Sequence, residues 1–160
     1  MKNSSPVKVV AKNKKAYFDY EVVEKYEAGI VLTGSEVKTV NEGRVQLKGS
    51  FATAVRGHNG KIRVVTENLH ISAYRYSSTP GHEPLRRREL LLHRKEIDYL
   101  AQESAQKGFT LIPLEIFLKN NIIKVLLGVC RGKKAHDKRD VLKRRAMTKE
   151  VMQGLKKFTR

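Results

Sequence analysis

Thr110-Leu111-Ile112-Pro113-Leu114-Glu115-Ile116-Phe117-Leu118-Lys119, then Asn120-Asn121, then Ile122-Ile123-Lys124-Val125-Leu126-Leu127-Gly128-Val129-Cys130, reads as two strong strands joined at the asparagine pair. Apolar runs of this kind bounded by turn residues mark strands. Working outward, shorter strand candidates lie at Val45–Leu47, Phe51–Val55, Lys61–Val65 and Leu69–Ser72. His58-Asn59-Gly60 supplies the Asn-Gly turn that favours a tight hairpin between the second and third of these. From Ala16 to Leu32 the chain is dense in aromatic and β-branched residues, and Phe18, Tyr20 and Val22 alternate with Asp19 and Glu21. That is the two-residue period of a half-buried strand, with Gly29 marking a bulge or bend. Gly34–Gly43 predicts a short helix with Ser35 as N-cap and Gly43 as stop. Tyr76–Glu83 is a loop by composition, whereas Leu92, Glu96 and Leu100 recur at helical spacing, as do Ile97, Ala101 and Ala105. One amphipathic helix from Leu85 to Lys107, ending at Gly108, is expected there. The fold expected from these elements is mainly β, a small antiparallel barrel with two to three helices and a basic C-terminal tail. Residues 1–12 form a flexible N-terminus, 13–131 the barrel and 132–160 the tail.

Charge decides the class of partner. The chain of 160 residues carries a net charge of +17. Arg131 to Arg160 holds twelve Lys or Arg against three Asp or Glu, and the preceding body holds 21 against 13. A surface so basic attracts phosphate, and its affinity falls steeply with salt. Nucleic acid is the partner class this favours. Within the tail, Asp137 to Phe158 lacks proline, and Met147, Val151, Leu155 and Phe158 share one helical face. Lys and Arg crowd that stripe, and like charges four apart weaken an isolated helix. The tail is expected to be disordered when free and helical when phosphates neutralise it. A helix docked on the barrel is the alternative.

Other classes find little support. Apolar stretches fall far short of the roughly 20 residues of a membrane span, and no secretory leader is evident. The lone Cys130 excludes an intramolecular disulfide and reads as core. His58, His70, His82, His93 and His136 are scattered without metal-ligand spacing, and Asp137 and Asp140 are ringed by competing cations. No glycine loop for a nucleotide is present. No metal, no cofactor and no catalytic residue is expected, and the protein reads as a soluble cytoplasmic monomer rather than an enzyme.

Five blocks then converge: Glu27-Ala28-Gly29-Ile30, Gly34-Ser35-Glu36-Val37-Lys38, Arg88-Glu89-Leu90-Leu91-Leu92, Lys124-Val125, and Gly132-Lys133-Lys134-Ala135-His136-Asp137-Lys138-Arg139. In order and spacing, from about Asn13 onward, they resemble the small protein B (SmpB) family of bacterial transfer-messenger RNA-binding proteins. The resemblance implies an oligonucleotide-binding (OB)-like barrel that binds the tRNA-like domain of transfer-messenger RNA (tmRNA). It implies delivery of that RNA to stalled ribosomes, with the tail entering the empty mRNA channel of the small subunit near the decoding centre. Two places depart from the family pattern. Thr39-Val40-Asn41 stands where Ser-Leu-Arg is usual, and Glu89 stands where Lys is common.

On that basis Asn13, Lys14, Lys15, Glu27, Lys38, Arg88, Leu91 and Lys124 are candidate RNA-binding residues. A carboxylate at Glu27 can accept from a neighbouring lysine or a ribose 2′-OH. Lys124 offers a point charge to phosphate, against the alternative of an edge-strand gatekeeper. Leu91 reads either as helix core or as an apolar support for an unstacked base. Arg86, Arg87 and Arg88, placed at a helix start, oppose the macrodipole and invite an external anion. In the tail, Gly132 frees the chain from the barrel, and Lys133 and Lys134 meet phosphate. His136 stacks on a base, and Asp137 caps the tail helix. Lys138, Arg139, Lys143, Arg144 and Arg145 track ribosomal RNA. The rival readings are a permanent ribosomal protein with a basic extension and a non-specific condensing protein.

Overall fold

Nine strands and four helices follow one another in residues 6–77 and 81–158, which the computed structural model describes. They are β1 (Val7–Lys12), α1 (Lys14–Asp19), β2 (Tyr20–Ile30), α2 (Gly34–Asn41), β3 (Val45–Gln46), β4 (Phe51–Arg56) and β5 (Ile62–Glu67). Then come β6 (His70–Ile71), β7 (Arg88–Leu91), α3 (Arg94–Ala105), β8 (Phe109–Lys119), β9 (Ile122–Gly132) and α4 (Ala135–Phe158).

The β8–β9 hairpin is the frame. Asn120 and Asn121 both take positive φ, 53° and 61°, which the short polar asparagine side chain tolerates and a two-residue turn of this twist requires. From that turn the two strands pair from Lys119↔Ile122 to Phe109↔Arg131. The register slips between Pro113 and Glu115, a bulge where a residue without an N–H can sit inside a ladder. The neighbours continue β8–β4–β5–β7–β2–β9 and return to β8, so six antiparallel strands close into a ring. β1 lies outside the ring on β8, from Val7↔Lys119 to Lys12↔Glu115. The β4–β8 seam is held by one residue pair, Ala52↔Leu111. There α3 lies over the opening, with Ala101, Ser104 and Ala105 bordering a groove beside β4.

Inside the ring, Ala28, Val64, Leu90, Leu111, Val125 and Leu127 are buried together with Leu100 of α3. A second, smaller core lies on the outer face, where Ala16 of α1 packs on Ile112, Leu114 and Cys130. Covered on both sides, the middle of β8 is buried without alternation. Gly128 makes room for this: a Cβ there would stand 2.7 Å from Leu114 Cδ1 and 3.1 Å from Cys130 Sγ.

Several expectations are corrected. The stretch from Ala16 does not begin as strand. Asn13 Oδ1 accepts the Ala16 N–H at 3.1 Å and starts α1, and extended structure begins only at Tyr20. Part of the lead-in expected to be flexible is strand β1, while residues 1–5 lie outside the described residues. The bulge of β2 falls between Val22 and Glu24, not at Gly29, which stays in register with both Lys124 and Leu91. Thr33 rather than Ser35 caps α2, in a reciprocal capping box with Glu36. Residues 85–107 are not one helix. Arg88–Leu91 is drawn into the ladder between β2 and β5, because the ring needs that strand to close. α3 begins after His93, whose N–H donates to Glu96 at 2.9 Å. The described helices therefore number four, not two to three. Expectations that held include the Asn59-Gly60 hairpin, with Gly60 at φ 76°, and the α2 stop at Gly43, also at φ 76°.

A buried ion cluster fixes α2 to the ring. Glu36 and Arg88 are both fully buried. Arg88 Nε donates to Glu36 Oε1 at 2.7 Å, and Arg86 Nη2 donates to Oε2 at 2.7 Å. The rest of the Arg88 fork is taken by the carbonyls of Leu69 (2.7 Å), Arg86 (3.0 Å), Pro84 (3.1 Å) and Glu83 (3.4 Å). Arg88 is thus a structural residue. The argument that it stands at a helix start opposing the dipole falls with the helix.

Candidate nucleic-acid interface

The paired strands β2, β9 and β8 bring distant residues of one outer face together. Glu27 on β2 pairs with Leu126, and Gly29 with Lys124. On the other side of β9, Lys124 lies opposite Phe117 and Ile122 opposite Lys119. Glu27 therefore receives two ammonium groups. Lys124 Nζ donates to it at 2.6 Å, and Lys119 Nζ at 3.2 and 3.3 Å to its two oxygens. The Lys124 hydrogen bond holds the Glu27 carboxyl below its usual range against the opposing effect of burial, with Lys119 adding to it. One fixed carboxylate between two lysines leaves a net positive cluster with set geometry, and all three side chains keep access to solvent.

Leu91 completes the row across β7, β2 and β9. It is 55% exposed and lies beside Gly29. A Cβ on Gly29 would come within 3.2 Å of Leu91 Cβ, so the glycine leaves a shallow place between Leu91 and Lys124. Leu91 is a strand residue pointing to solvent, not helix core. An exposed leucine beside two lysines and backbone can support a base face.

A second basic region surrounds α1. Lys12, Lys14, Lys15 and Lys48 line a groove of about 590 Å³ between the β1–α1 corner and β3. Lys12, Lys14, Tyr17 and Arg145 line a neighbouring one of about 520 Å³. Lys12 and Lys25 stand 5.1 and 5.5 Å from the Tyr17 ring centroid. The Tyr17 hydroxyl donates to Glu115 at 3.3 Å, and burial followed by that carboxylate pushes its pKa up to about 12. Asn13 forms part of the wall of the first groove, but its side-chain amide is spent inside the protein. Its side chain is buried and donates to Leu47 O and Pro113 O, both at 3.1 Å. As a direct RNA contact Asn13 is corrected to an organiser of the α1 corner.

The tail leaves from this same corner. Gly132 is the last residue of β9, paired with Tyr20, rather than a free hinge. Lys133 N–H donates to Asp19 O at 3.0 Å, and its Nζ to Tyr17 O at 3.0 Å. Lys138 reaches Asp19 at 3.4 Å, and Arg145 stands 5.3 Å over the Phe18 ring. Beyond those contacts α4 projects, with Leu142, Met147, Val151, Met152 and Leu155 exposed. The Phe158 side chain and residues 159–160 lie outside the described residues. Asp137 stands in the first turn, where the helix dipole favours an acid. As the third residue of α4 it lies inside the helix rather than at the cap position before Ala135, and its carboxylate meets His136 Nδ1 at 3.2 Å. Lys134, His136, Arg139, Lys143, Arg144 and Arg145 are exposed.

Of the candidates, the structure brings Glu27, Leu91 and Lys124 together, places Lys14 and Lys15 at the α1 grooves, and removes Asn13 and Arg88 from the surface. Lys38 is exposed on α2. Sequence reasoning missed Lys119, Lys12, Lys25 and Lys48. Lys119 was within reach of it, because a two-residue turn at Asn120-Asn121 puts positions 119 and 124 on one face of the hairpin. The departures are accommodated locally. Thr39 is buried and donates to Ser35 O at 2.9 Å, and Glu89 faces Arg63 at 3.5 Å.

Among the described residues no helix is long and apolar enough to cross a membrane, and no cluster of His, Cys, Asp or Glu is placed to hold a metal ion. Comparison with known proteins agrees with the layout. A Bacillus cereus SsrA-binding protein is 48% identical over 149 residues, covering 93% of each chain. A Geobacillus kaustophilus SsrA-binding protein is 48% identical over 144 residues, covering 90% of each. A chain from a solved structure described as "tmRNA-SmpB: a journey to the center of the bacterial ribosome" superposes with a TM-score of 0.63 and 45% identity, over 82% of this chain and 87% of that one. The model of the SmpB protein family matches residues 10–157, from within β1 through the ring and along α4. Because head and tail are matched alike, the chain belongs to the SmpB family.

Proposed function

We propose that the protein is an RNA-binding factor of trans-translation. It binds the tRNA-like domain of tmRNA through the Glu27–Lys119–Lys124 cluster and Leu91. It carries that RNA to stalled ribosomes and places its basic tail in the vacant mRNA channel. The observation that carries this reading is the distance between its two basic surfaces. Lys124 sits near the start of β9 and Gly132 at its end, eight residues or roughly 26 Å apart at strand rise. A ligand at the first end leaves α4 free to reach a different partner from the other. Fully extended as a helix, the 24 residues of α4 span about 36 Å. The same chain is similar along its length to SsrA-binding proteins and to a chain described with tmRNA and the ribosome. The oligonucleotide-binding character of the ring, and a tail that orders fully only on ribosomal RNA, belong to this proposal.

The test is a competition assay at about 150 mM salt, where non-specific phosphate binding is weakened. A tmRNA tRNA-like domain competes against an elongator tRNA and a random duplex of equal length. Preference for the first supports the reading, and equal binding to all three overturns it. A chain ending at Lys134 keeps the Lys133 contacts to α1, so it is expected to retain that preference while losing peptide tagging on stalled ribosomes. Loss of RNA preference in that truncation would sink the division of labour between head and tail.

A further inference from the structure

Tyr74 and Tyr76 form an aromatic pair that neither the core nor the Glu27 cluster uses. Their ring centroids lie 5.6 Å apart at 68°, edge to face. Tyr76 is 78% exposed, the highest value among the exposed large hydrophobic residues described. A solitary exposed ring is ordinary on a protein surface. This ring is not solitary. Lys38, projecting from α2, holds its Nζ 5.1 Å over the Tyr74 ring. Arg44 Nη1 donates to Ala73 O at 3.4 Å, and exposed Arg75 stands between the two tyrosines in the chain. Arg44 also meets the Glu42 carboxylate at 3.8 Å. The segment is anchored: Ser72 N–H donates to Arg44 O at 3.1 Å and Ser77 N–H to Tyr74 O at 3.4 Å.

We propose that Tyr76, backed by Tyr74 and flanked by Lys38, Arg44 and Arg75, is a stacking platform for an unpaired RNA base, with the cations meeting its neighbouring phosphates. The chemistry selects the occupant. Every base has a π-face, and aromatic side chains beside cations match a base with its phosphates. A base-paired duplex hides those faces, and an apolar protein surface would have to cover three cationic side chains, of which Arg44 has Glu42 beside it. The platform is built from α2 and the segment after β6, separate from the cluster on β2, β8 and β9. It deepens the proposed RNA-binding function and rests on it.

The test uses the whole chain and three fluorescently labelled RNAs at about 150 mM salt. One is a tRNA-like domain, one a hairpin with an unpaired loop, and one a hairpin of equal length whose loop bases are all paired to a complementary strand. Tyr76→Ala is expected to weaken binding of the unpaired-loop hairpin by about 5- to 150-fold, the range for one lost base stack. Tyr76→Phe should bind as the parent does. The slope of affinity against salt should be unchanged in Tyr76→Ala and lower by about one in Arg75→Ala. Because Tyr76 is a surface side chain, the variants should melt with the parent. Equal affinity of Tyr76→Ala and parent for the unpaired loop, or equal loss on the paired hairpin, overturns the platform. If the parent shows no preference for the tRNA-like domain, the functional reading fails, yet the two hairpins still decide the platform.

Discussion

Glu36 shows how a single carboxylate carries a large share of local stability. Burial raises its pKa, and the hydrogen bonds from Arg86, the Thr33 N–H and Arg88 together outweigh that effect and bring it from 4.5 to about 2. A folded-state pKa below the unfolded value means the contribution is complete above about pH 4.5. It is lost as pH falls towards 2. Urea denaturation at pH 7 and pH 3 should show this loss in the parent and much less of it in Glu36→Gln. At pH 7 that substitution should cost about 3–5 kcal/mol, because it strands the buried Arg88 without its counter-charge. At Gly128 the expected effect is steric: Gly128→Ala presses on buried Leu114 and should cost about 1–3 kcal/mol by the same measurement. Gly29→Ala should cost less, since its closest approach would be 3.2 Å, to Leu91 Cβ, against 2.7 Å at Gly128. Glu27 belongs to function. Glu27→Gln removes the group that positions Lys119 and Lys124, and should cut the preference for a tRNA-like domain over a random duplex by about tenfold, one charge-assisted bond. An unchanged preference would make Glu27 an ordinary surface acid.

At the scale of elements, α1 is the joint between head and tail. It is six residues long, too short to be stable alone. It persists because Asn13 starts it, Ala16 seats it on β8 and β9, and Lys133 satisfies carbonyls at its end. Asp19 draws in both Lys15 (3.5 Å) and Lys138 (3.4 Å), and these partly exposed pairs are individually weak. The root of α4 is therefore held at the α1 corner, while farther out Met147, Val151 and Met152 expose their side chains. Amide hydrogen exchange should find the Lys133 and Lys138 N–H groups, bonded to Asp19 O and Lys134 O, better protected than those of 147–157, and adding ribosomes should protect the outer turns. Equal protection along α4 without RNA would show a tail that is already fixed.

At the scale of the molecule, charge governs encounter. With a net charge of +17, log affinity for RNA should fall linearly with log salt, by about 0.7 to 0.9 per phosphate neutralised. Ending the chain at Lys134 removes nine Lys or Arg and three Asp or Glu. On the head's own RNA the slope should then be nearly unchanged, whereas on ribosomes it should fall by several. A slope that falls equally on both would mean that the tail contributes to binding everywhere. The closed ring supports this division, since six strands paired around a circuit leave β1 and the short β3–β6 pair as the sheet edges.

How much of this was legible in the chain depended on the range of the physics. The β8–β9 hairpin, the Asn59-Gly60 turn, the α2 stop at Gly43 and the basic tail were readable, because turn chemistry, two-residue alternation and charge are properties of neighbours in sequence. Glu27, Leu91 and Lys124 were found through motif resemblance, but their meeting on one face was set by strand register. Three features were decided only by tertiary structure. Arg88–Leu91 lies within a helical pattern and became strand because the ring needed its edge paired. Asn13 and Arg88 read as surface residues able to meet RNA and were buried, since a backbone carbonyl a hundred positions away, or a carboxylate on another element, was there to satisfy them. Local propensity amounts to tenths of a kcal/mol per residue, whereas an unpaired strand edge or a stranded buried charge costs several. Where the two disagreed, the long-range term prevailed.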